Sequence, residues 1–359
     1  MKRKIEDYIK HILIENYGER WEYIFSKSQI IQYLNLKSNA IHGDTKTRRS
    51  LANWYAIYSI LHFYEEKGFV DNKEKYQKFD GFPYTSLLEF QRKQYGGEKL
   101  QNHGLNSRVN GEFINKIAID KEKNPIIIND GKYLIHPDYL YIDGKDTTKV
   151  ILEIIEKYQN ILINKDNKFT GILNDILTMN SSSDKKKALK SILNEDTEAR
   201  IFEIISFAIL EAHYKNNNVY IGFDLNKIEK KNLSLYKTGR TNANDGGIDF
   251  VMRPLGRFFQ VTEVDNYDKF FLDMEKVNHF PITFVVKTKK TSNLVEKEIR
   301  DYLIEKSGGM EMLKKRYLDS LEEVITIQEL NKWMGELNDE DVNYAIGEID
   351  RYFRMEMNI

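Results

Sequence analysis

The sequence predicts a mixed α/β protein of the α+β kind, with a mostly helical N-terminal domain ahead of a sheet-containing C-terminal one. Three observations carry this. Helical periodicity dominates residues 5–69, two β-branched runs joined by a turn occupy residues 248–264, and strand and helix patterns alternate from there to residue 306. A chain of 359 residues is long enough for two domains, each with its own core. Residues 180–187, Asn-Ser-Ser-Ser-Asp and three lysines, are small, polar and charged, as a linker would be. The expected domains are therefore 1–185 and 186–359.

In the N-terminal half, Ile5, Tyr8, Ile9, Ile12 and Leu13 make one helical stripe, and a second helix begins near Ser28. A polar loop with Lys46, Arg48 and Arg49 leads into a helix whose Leu51, Trp54, Tyr55, Tyr58 and Leu61 share a side. Basic residues at a helix start oppose its dipole, so phosphate contact is one reading of Arg48 and Arg49 and a solvated loop the other. The aromatic stripe reads as core rather than a base-stacking platform. Residues 78–113 are loop-rich, with Arg92, Lys93, Lys99 and Arg108 interleaved among Gln101, Asn102 and Asn106, and Gly96-Gly97 permitting a close backbone approach. Guanidinium, ammonium and amide groups match phosphates and base edges, so this stretch is expected to be a DNA-recognition surface, with a plain polar loop as the competing reading. Short strands at 114–120, 125–130 and 132–143, turning at Asn129-Asp130-Gly131 and Asp143-Gly144, precede a helix at 150–162. Helices followed by strands suit a winged-helix-like module.

Further on, Ile201, Ile204, Ile205, Ala208 and Ala212 form a helical stripe, and Glu203 sits inside that apolar helix, where an unpaired carboxylate is costly. Residues 218–225 are expected as the first strand of the sheet, and Lys227, Lys230, Lys231, Lys237 and Arg240 as a basic connection facing phosphate or solvent. A glycine-containing loop ends at Gly247. The run 248–252, with Asp249, then turns at Pro254-Leu255-Gly256 into 257–264, making a hairpin. Phe258, Gln260 and Thr262 share one face of the second strand, and Phe259, Val261 and Glu263 the other. A carboxylate and polar atoms converging at one end of a sheet suit a hard cation such as Mg²⁺. Helix, strand and helix follow at 267–279, 281–290 and 294–306, and the tail 310–359 reads as helical, with a stripe of Leu313, Tyr317, Leu321 and Val324 that covers the core or mediates a dimer.

Arg200-Ile201-Phe202-Glu203, then Asp245-Gly246-Gly247-Ile248-Asp249, then Gln260-Val261-Thr262 resembles the PD-(D/E)XK nuclease superfamily. The closest branch is that of Mrr-type and several type II restriction endonucleases. The resemblance implies an αβββαβ core in the C-terminal domain. It makes Asp249, Gln260, Thr262 and Glu203 the candidate catalytic set, and Asp249, Gln260, the Val261 carbonyl and Glu203 the ligands of Mg²⁺. The family's lysine falls at Thr262, and Lys269, Lys276 and Lys287 are the candidates to replace it. With Arg48, Arg49, Arg92, Lys93, Lys99, Gln101, Asn102, Asn106, Arg108 and Arg240 on DNA, the implied activity is that of a type II restriction endonuclease. Such an enzyme acts on double-stranded DNA as a homodimer, with a cognate DNA methyltransferase as genetic partner. A modification-dependent Mrr-like nuclease, an inactive DNA-binding protein of the same fold and an RNA-directed nuclease are the alternatives.

Composition narrows the classes. A net charge of −1 leaves no global basic field, so nucleic acid must be held by local clusters. The absence of cysteine excludes disulfide frameworks and thiolate chemistry. A cytoplasmic protein without a membrane partner is expected, since no apolar run approaches bilayer length and the N-terminus lacks a signal-peptide pattern. Neither a G-x-S-x-G elbow nor a phosphate-cradling Walker loop is present.

Overall fold

Helices and sheets are both present, as the patterning predicts, and the chain divides into two units, Met1–Lys168 and Phe169–Ile359. The structure, a computed structural model, describes residues 4–38, 41, 47–98, 100, 104–224, 226–239, 248–263 and 267–357, and the side chains of these apart from 47–50, 104–105 and 357. The division lies earlier than the expected 185/186, which falls inside a helix at Ser182–Ile192. The small polar residues taken for a linker are that helix's start: Ser181 accepts a hydrogen bond from Asp184 N as its N-cap, and Leu189 and Leu193 are buried in the second unit.

The first unit runs α1 (Asp7–Tyr17), α2 (Trp21–Lys27), α3 (Gln29–Leu36), α4 (Thr47–Glu66), α5 (Lys73–Gln77), β1 (Phe82–Pro83), α6 (Tyr84–Lys93), α7 (Gly104–Lys116), β2 (Ile126–Asn129), β3 (Lys132–Ile135), β4 (Tyr141–Ile142), β5 (Lys145–Asp146) and α8 (Thr148–Thr178). The unit boundary lies within α8. The stripes expected of α1 and α4 are its core: Ile9, Ile12, Leu13, Leu51, Trp54, Tyr55, Tyr58 and Leu61 are buried, and Trp54 stacks on Tyr158 at 4.1 Å between centroids. β1, β3 and β2 form an antiparallel sheet in that order. The turns at Asp130-Gly131 (φ 46° and 75°) and Asp143-Gly144 (φ 51° and 79°) have the paired positive φ that two-residue hairpins favour. Residues 114–120 are not a strand but the end of α7 and the loop after it, because Val109 and Phe113, four apart and both fully buried, set a helical period there.

The second unit contains α9 (Ser182–Ile192), α10 (Ala199–Tyr214), β6 (Asn218–Ile221), β7 (Glu229–Asn232), β8 (Ser234–Lys237), β9 (Phe250–Arg253), β10 (Arg257–Thr262), α11 (Tyr267–Lys276), β11 (Ile282–Val286), α12 (Ser292–Lys306), α13 (Glu311–Ser320), β12 (Leu321–Thr326), α14 (Ile327–Glu336) and α15 (Asp339–Met357). Its five-stranded sheet has the order β12-β11-β10-β9-β8. β8, β9 and β10 are antiparallel, whereas β10, β11 and β12 are parallel and joined through helices. One face carries Phe250, Phe259, Val285 and Ile325 against α9, α10, α14 and α15. The other carries Phe258, Ile282, Phe284, Val286 and Val324 against α11, α12 and α13. All of β11 is buried because both faces are covered.

Two elements depart from expectation. Residues 218–221 do form a strand, but β6 pairs with β7 in a separate ribbon, and the sheet's first strand is β8, from within the supposed basic connection. Leu235 in β8 is buried in the core, whereas every residue of β7 is exposed. In the tail, Leu313 and Tyr317 lie on α13, but Leu321 and Val324 belong to β12, where the β-branched run Val324-Ile325-Thr326 prefers a pleated, buried edge.

His213, at the end of α10, stacks on Trp333 of α14 at 4.4 Å. Burial holds its imidazole below the ordinary value, against the raising influence of Glu336 and Glu323. As pH falls, the unfolded chain therefore takes up this proton first. The stability that the neutral ring contributes is complete above the unfolded value of about 6.5 and is lost as pH falls through the folded one. The wild type is expected to lose more thermal stability between pH 8 and pH 5 than His213→Phe, and parallel melting curves for the two would contradict this.

Candidate active site

The C-terminal ends of β8, β10 and β11 and the N-terminal end of β9 meet at one edge of the sheet, where Lys237 pairs with Phe250, Phe259 with Phe250, and Thr262 with Val286. Asp249 immediately precedes β9. Its backbone N–H donates to the Phe259 carbonyl, and its Oδ2 accepts from Val261 N at 2.7 Å. The hairpin thus fixes the aspartate against the middle of β10 through the Val261 N–H, while the Val261 carbonyl, the expected ligand, accepts from Gln260 Nε2.

Glu203 reaches the same edge from α10. This helix is buried on nearly all sides, between the sheet and the layer of α14 and α15, which is why its sequence is apolar almost throughout. The carboxylate is matched by Lys237 Nζ at 2.7 Å, and each side chain keeps only a tenth of its exposure. The ammonium also lies over the Tyr352 ring, at 5.6 Å. Lys237 sits opposite Phe250, the residue that follows Asp249.

A second ion pair completes the edge. Lys287 follows β11, donates its backbone N–H to the Thr262 carbonyl, and pairs through Nζ with Glu263. The same Nζ donates to the Thr197 carbonyl just ahead of α10, at 2.9 Å. Glu195 ties that segment to the far side of β11 by accepting from Lys289 N at 2.9 Å. The start of α10 is therefore anchored to the end of β11. Asp249, the Glu203–Lys237 pair and the Lys287–Glu263 pair thus belong to elements that end on this side of the sheet, and among the described residues no group of three or more His, Cys, Asp or Glu is placed to hold a metal ion.

Gln260 and Thr262 lie on the opposite face of β10 from Glu203. They share the Phe258 face, which packs toward α11 and α12. Both are buried. Gln260 Nε2 donates to the Val261 carbonyl at 3.1 Å, while Gln260 Oε1 and Thr262 Oγ1 have no hydrogen-bond partner among the described residues. Alternation instead turns Glu263 away from them, to its pair with Lys287. The sequence signal that could have found Glu263 is its period-2 relation to Phe259 and Val261.

The expected DNA contacts divide three ways. Lys99, Gln101, Asn102 and Arg240 lie outside the described residues, as do the side chains of Arg48 and Arg49 at the start of α4. Arg92 and Lys93 are exposed at the end of α6, with Arg92 Nε donating to the Leu100 carbonyl. Arg108 is partly exposed and bonds Glu112, which also takes hydrogen bonds from Tyr33 and Asn53 and pairs with Lys37. Asn106 is withdrawn from any surface, being only 1% exposed. Several amides of this stretch serve the interior. Gln91 donates to Ser59 Oγ, and Asn110 bonds both the N–H and the C=O of Ile126, satisfying buried backbone. Gly97 has a structural reason too, since a Cβ there would fall 2.0 Å from the Gln91 carbonyl oxygen.

Comparisons with protein-family models, with curated proteins and with solved structures find no match to this chain.

Proposed function

We propose that the second unit is a Mg²⁺-dependent DNA endonuclease of PD-(D/E)XK type, and that the protein acts as a type II restriction enzyme with the first unit, read as winged-helix-like, in recognition. The observation that carries this is that Asp249, held on Val261 N, and the Glu203–Lys237 and Lys287–Glu263 pairs belong to elements that end on one side of the sheet. With the intervening β6–β7 ribbon set aside, α10, β8, β9, β10, α11 and β11 follow one another as helix, three antiparallel strands, helix and parallel strand, which supports the reading. That order is the one the resemblance implies.

The donor set fits the cation in kind. Mg²⁺ takes hard oxygens, commonly one or two carboxylates with the remaining positions left to water and phosphate. Asp249, Glu203 and Glu263 supply such oxygens. Gln260, buried with its Oε1 lacking a hydrogen-bond partner among the described residues, stays in the expected ligand set with Asp249. A bound Mg²⁺ supplies Lewis acidity that neutralises charge on a phosphodiester and lowers the pKa of water. The chain's own part is to hold Asp249 rigidly through Val261 N–H and to present two ammonium groups. Lys287 is the side chain best placed for the role of the family's lysine: it adjoins Thr262 through the backbone and extends into the acidic edge that the buried Thr262 does not reach. An ammonium there would orient a water or bind phosphate.

The test is incubation of methylated and unmethylated phage DNA with the protein, in Mg²⁺ or in EDTA. Discrete Mg²⁺-dependent fragments are expected, and Lys287→Met should slow their appearance without abolishing duplex binding. Absence of cleavage on both DNAs would defeat the proposal, and cleavage confined to methylated DNA would replace type II restriction with modification-dependent cutting.

A further inference from the structure

The ribbon of β6 and β7 does not join the main sheet, and its side chains are unequally divided between its faces. Pairing sets Asn218 opposite Asn232, Val219 opposite Lys231, Tyr220 opposite Lys230, and Ile221 opposite Glu229. One face therefore holds Val219, Ile221 and the Lys231–Glu229 ion pair, and Val219 packs against the unit's core. The other holds Asn218, Tyr220, Lys230 and Asn232, all exposed, with Tyr220 at 71%. Beyond the strands, Phe223 is fully exposed and Ile228 is 51% exposed. Gly222 makes the turn possible, because a Cβ there would fall 2.5 Å from the Lys227 carbonyl oxygen.

A two-stranded ribbon is marginal in water by itself, and exposed aromatics on one are not explained by folding. The outward face is chemically specific. An ammonium, a phenol and two amides are presented together, and among the described residues Lys230 has no carboxylate partner, while the ribbon's Glu229 is matched by Lys231 on the other face. Residues 218–232 carry three lysines against two acids in a chain whose net charge is −1. β7 leads through Leu233 directly into β8, which ends at Lys237 in the acidic edge.

We infer that the β6–β7 ribbon is a DNA-contacting arm whose Asn218, Tyr220, Lys230 and Asn232 face enters a groove of the duplex, Lys230 meeting phosphate and the amides and phenol meeting base edges. The width of a two-stranded ribbon suits the major groove, and these side-chain types match what is displayed there. This rests on the nuclease reading for its partner, and it assigns to the second unit a share of the recognition that composition placed in the first.

Anisotropy of a fluorescein-labelled duplex, titrated with the full chain in EDTA across a salt series, tests it. Lys230→Gln should make the dependence of log K on log salt shallower by about 0.9, the loss of one phosphate contact. Tyr220→Ser/Lys230→Gln should weaken binding about tenfold or more, while Lys231→Gln, on the inward face, should change neither quantity. All three positions are exposed, so unchanged melting temperatures will verify folding. Equal behaviour of the Lys230 and Lys231 variants, or wild-type binding by the double variant, overturns the arm. So does a change from dimer to monomer in Phe223→Ser with DNA affinity unaltered, which would make the ribbon a contact between copies. If the wild type cleaves DNA while the ribbon variants bind normally, only the arm fails. If the wild type neither binds nor cleaves duplex, the nuclease reading falls with it.

Discussion

Asp249→Asn is expected to reduce Mg²⁺-dependent cleavage about a hundred- to a thousandfold while leaving folding and duplex affinity in EDTA unchanged. The substitution preserves shape, and an amide oxygen can still accept the hydrogen bond that Val261 N now gives to Oδ2 at 2.7 Å. What it removes is the negative charge that draws a hard cation to this edge. Conversion of supercoiled plasmid to nicked and linear forms reads the rate, and anisotropy of a labelled duplex reads the binding. A nuclease indifferent to Asp249→Asn would place its chemistry elsewhere.

Much of the fold is legible because it depends on periods of the chain. The stripes of α1, α4 and α10 and the hairpin around Pro254-Leu255-Gly256 follow from local sequence, and so does the buried run of β11. The assignment of faces does not. Alternation along β10 separates Gln260 and Thr262 from Val261 and Glu263 in any arrangement, but which set faces Glu203 depends on the side of the sheet that α10 covers. That is a tertiary fact. For the same reason β6 and β8 could not be ranked as first strand: both are short and of strand composition, and only pairing distinguishes them. The amides of residues 91–110 illustrate a third limit. A primary amide suits a base edge and a buried backbone group equally, and Asn110 is committed to Ile126 by a contact sixteen residues away.

The Glu203–Lys237 pair joins stability to function. Lys237→Met is expected to destabilise the second unit by about 3 kcal/mol, since it leaves Glu203 without its ammonium partner at a site where both side chains are largely shielded from water. Glu203→Gln/Lys237→Met should recover most of that loss, because it leaves no uncompensated charge there. Denaturant unfolding of the two single variants and the double closes the cycle. Mg²⁺ then separates a structural pair from a functional one. If Glu203 belongs to the cation site, a divalent ion can take over part of what the ammonium did, and binding to the folded state raises its stability. Mg²⁺ should therefore raise the melting temperature of Lys237→Met more than that of the wild type, and should do little for the double variant. Equal shifts in all three would show that Glu203 meets no cation other than Lys237, and that the pair exists to bury a charge beneath the sheet edge rather than to serve a reaction at it.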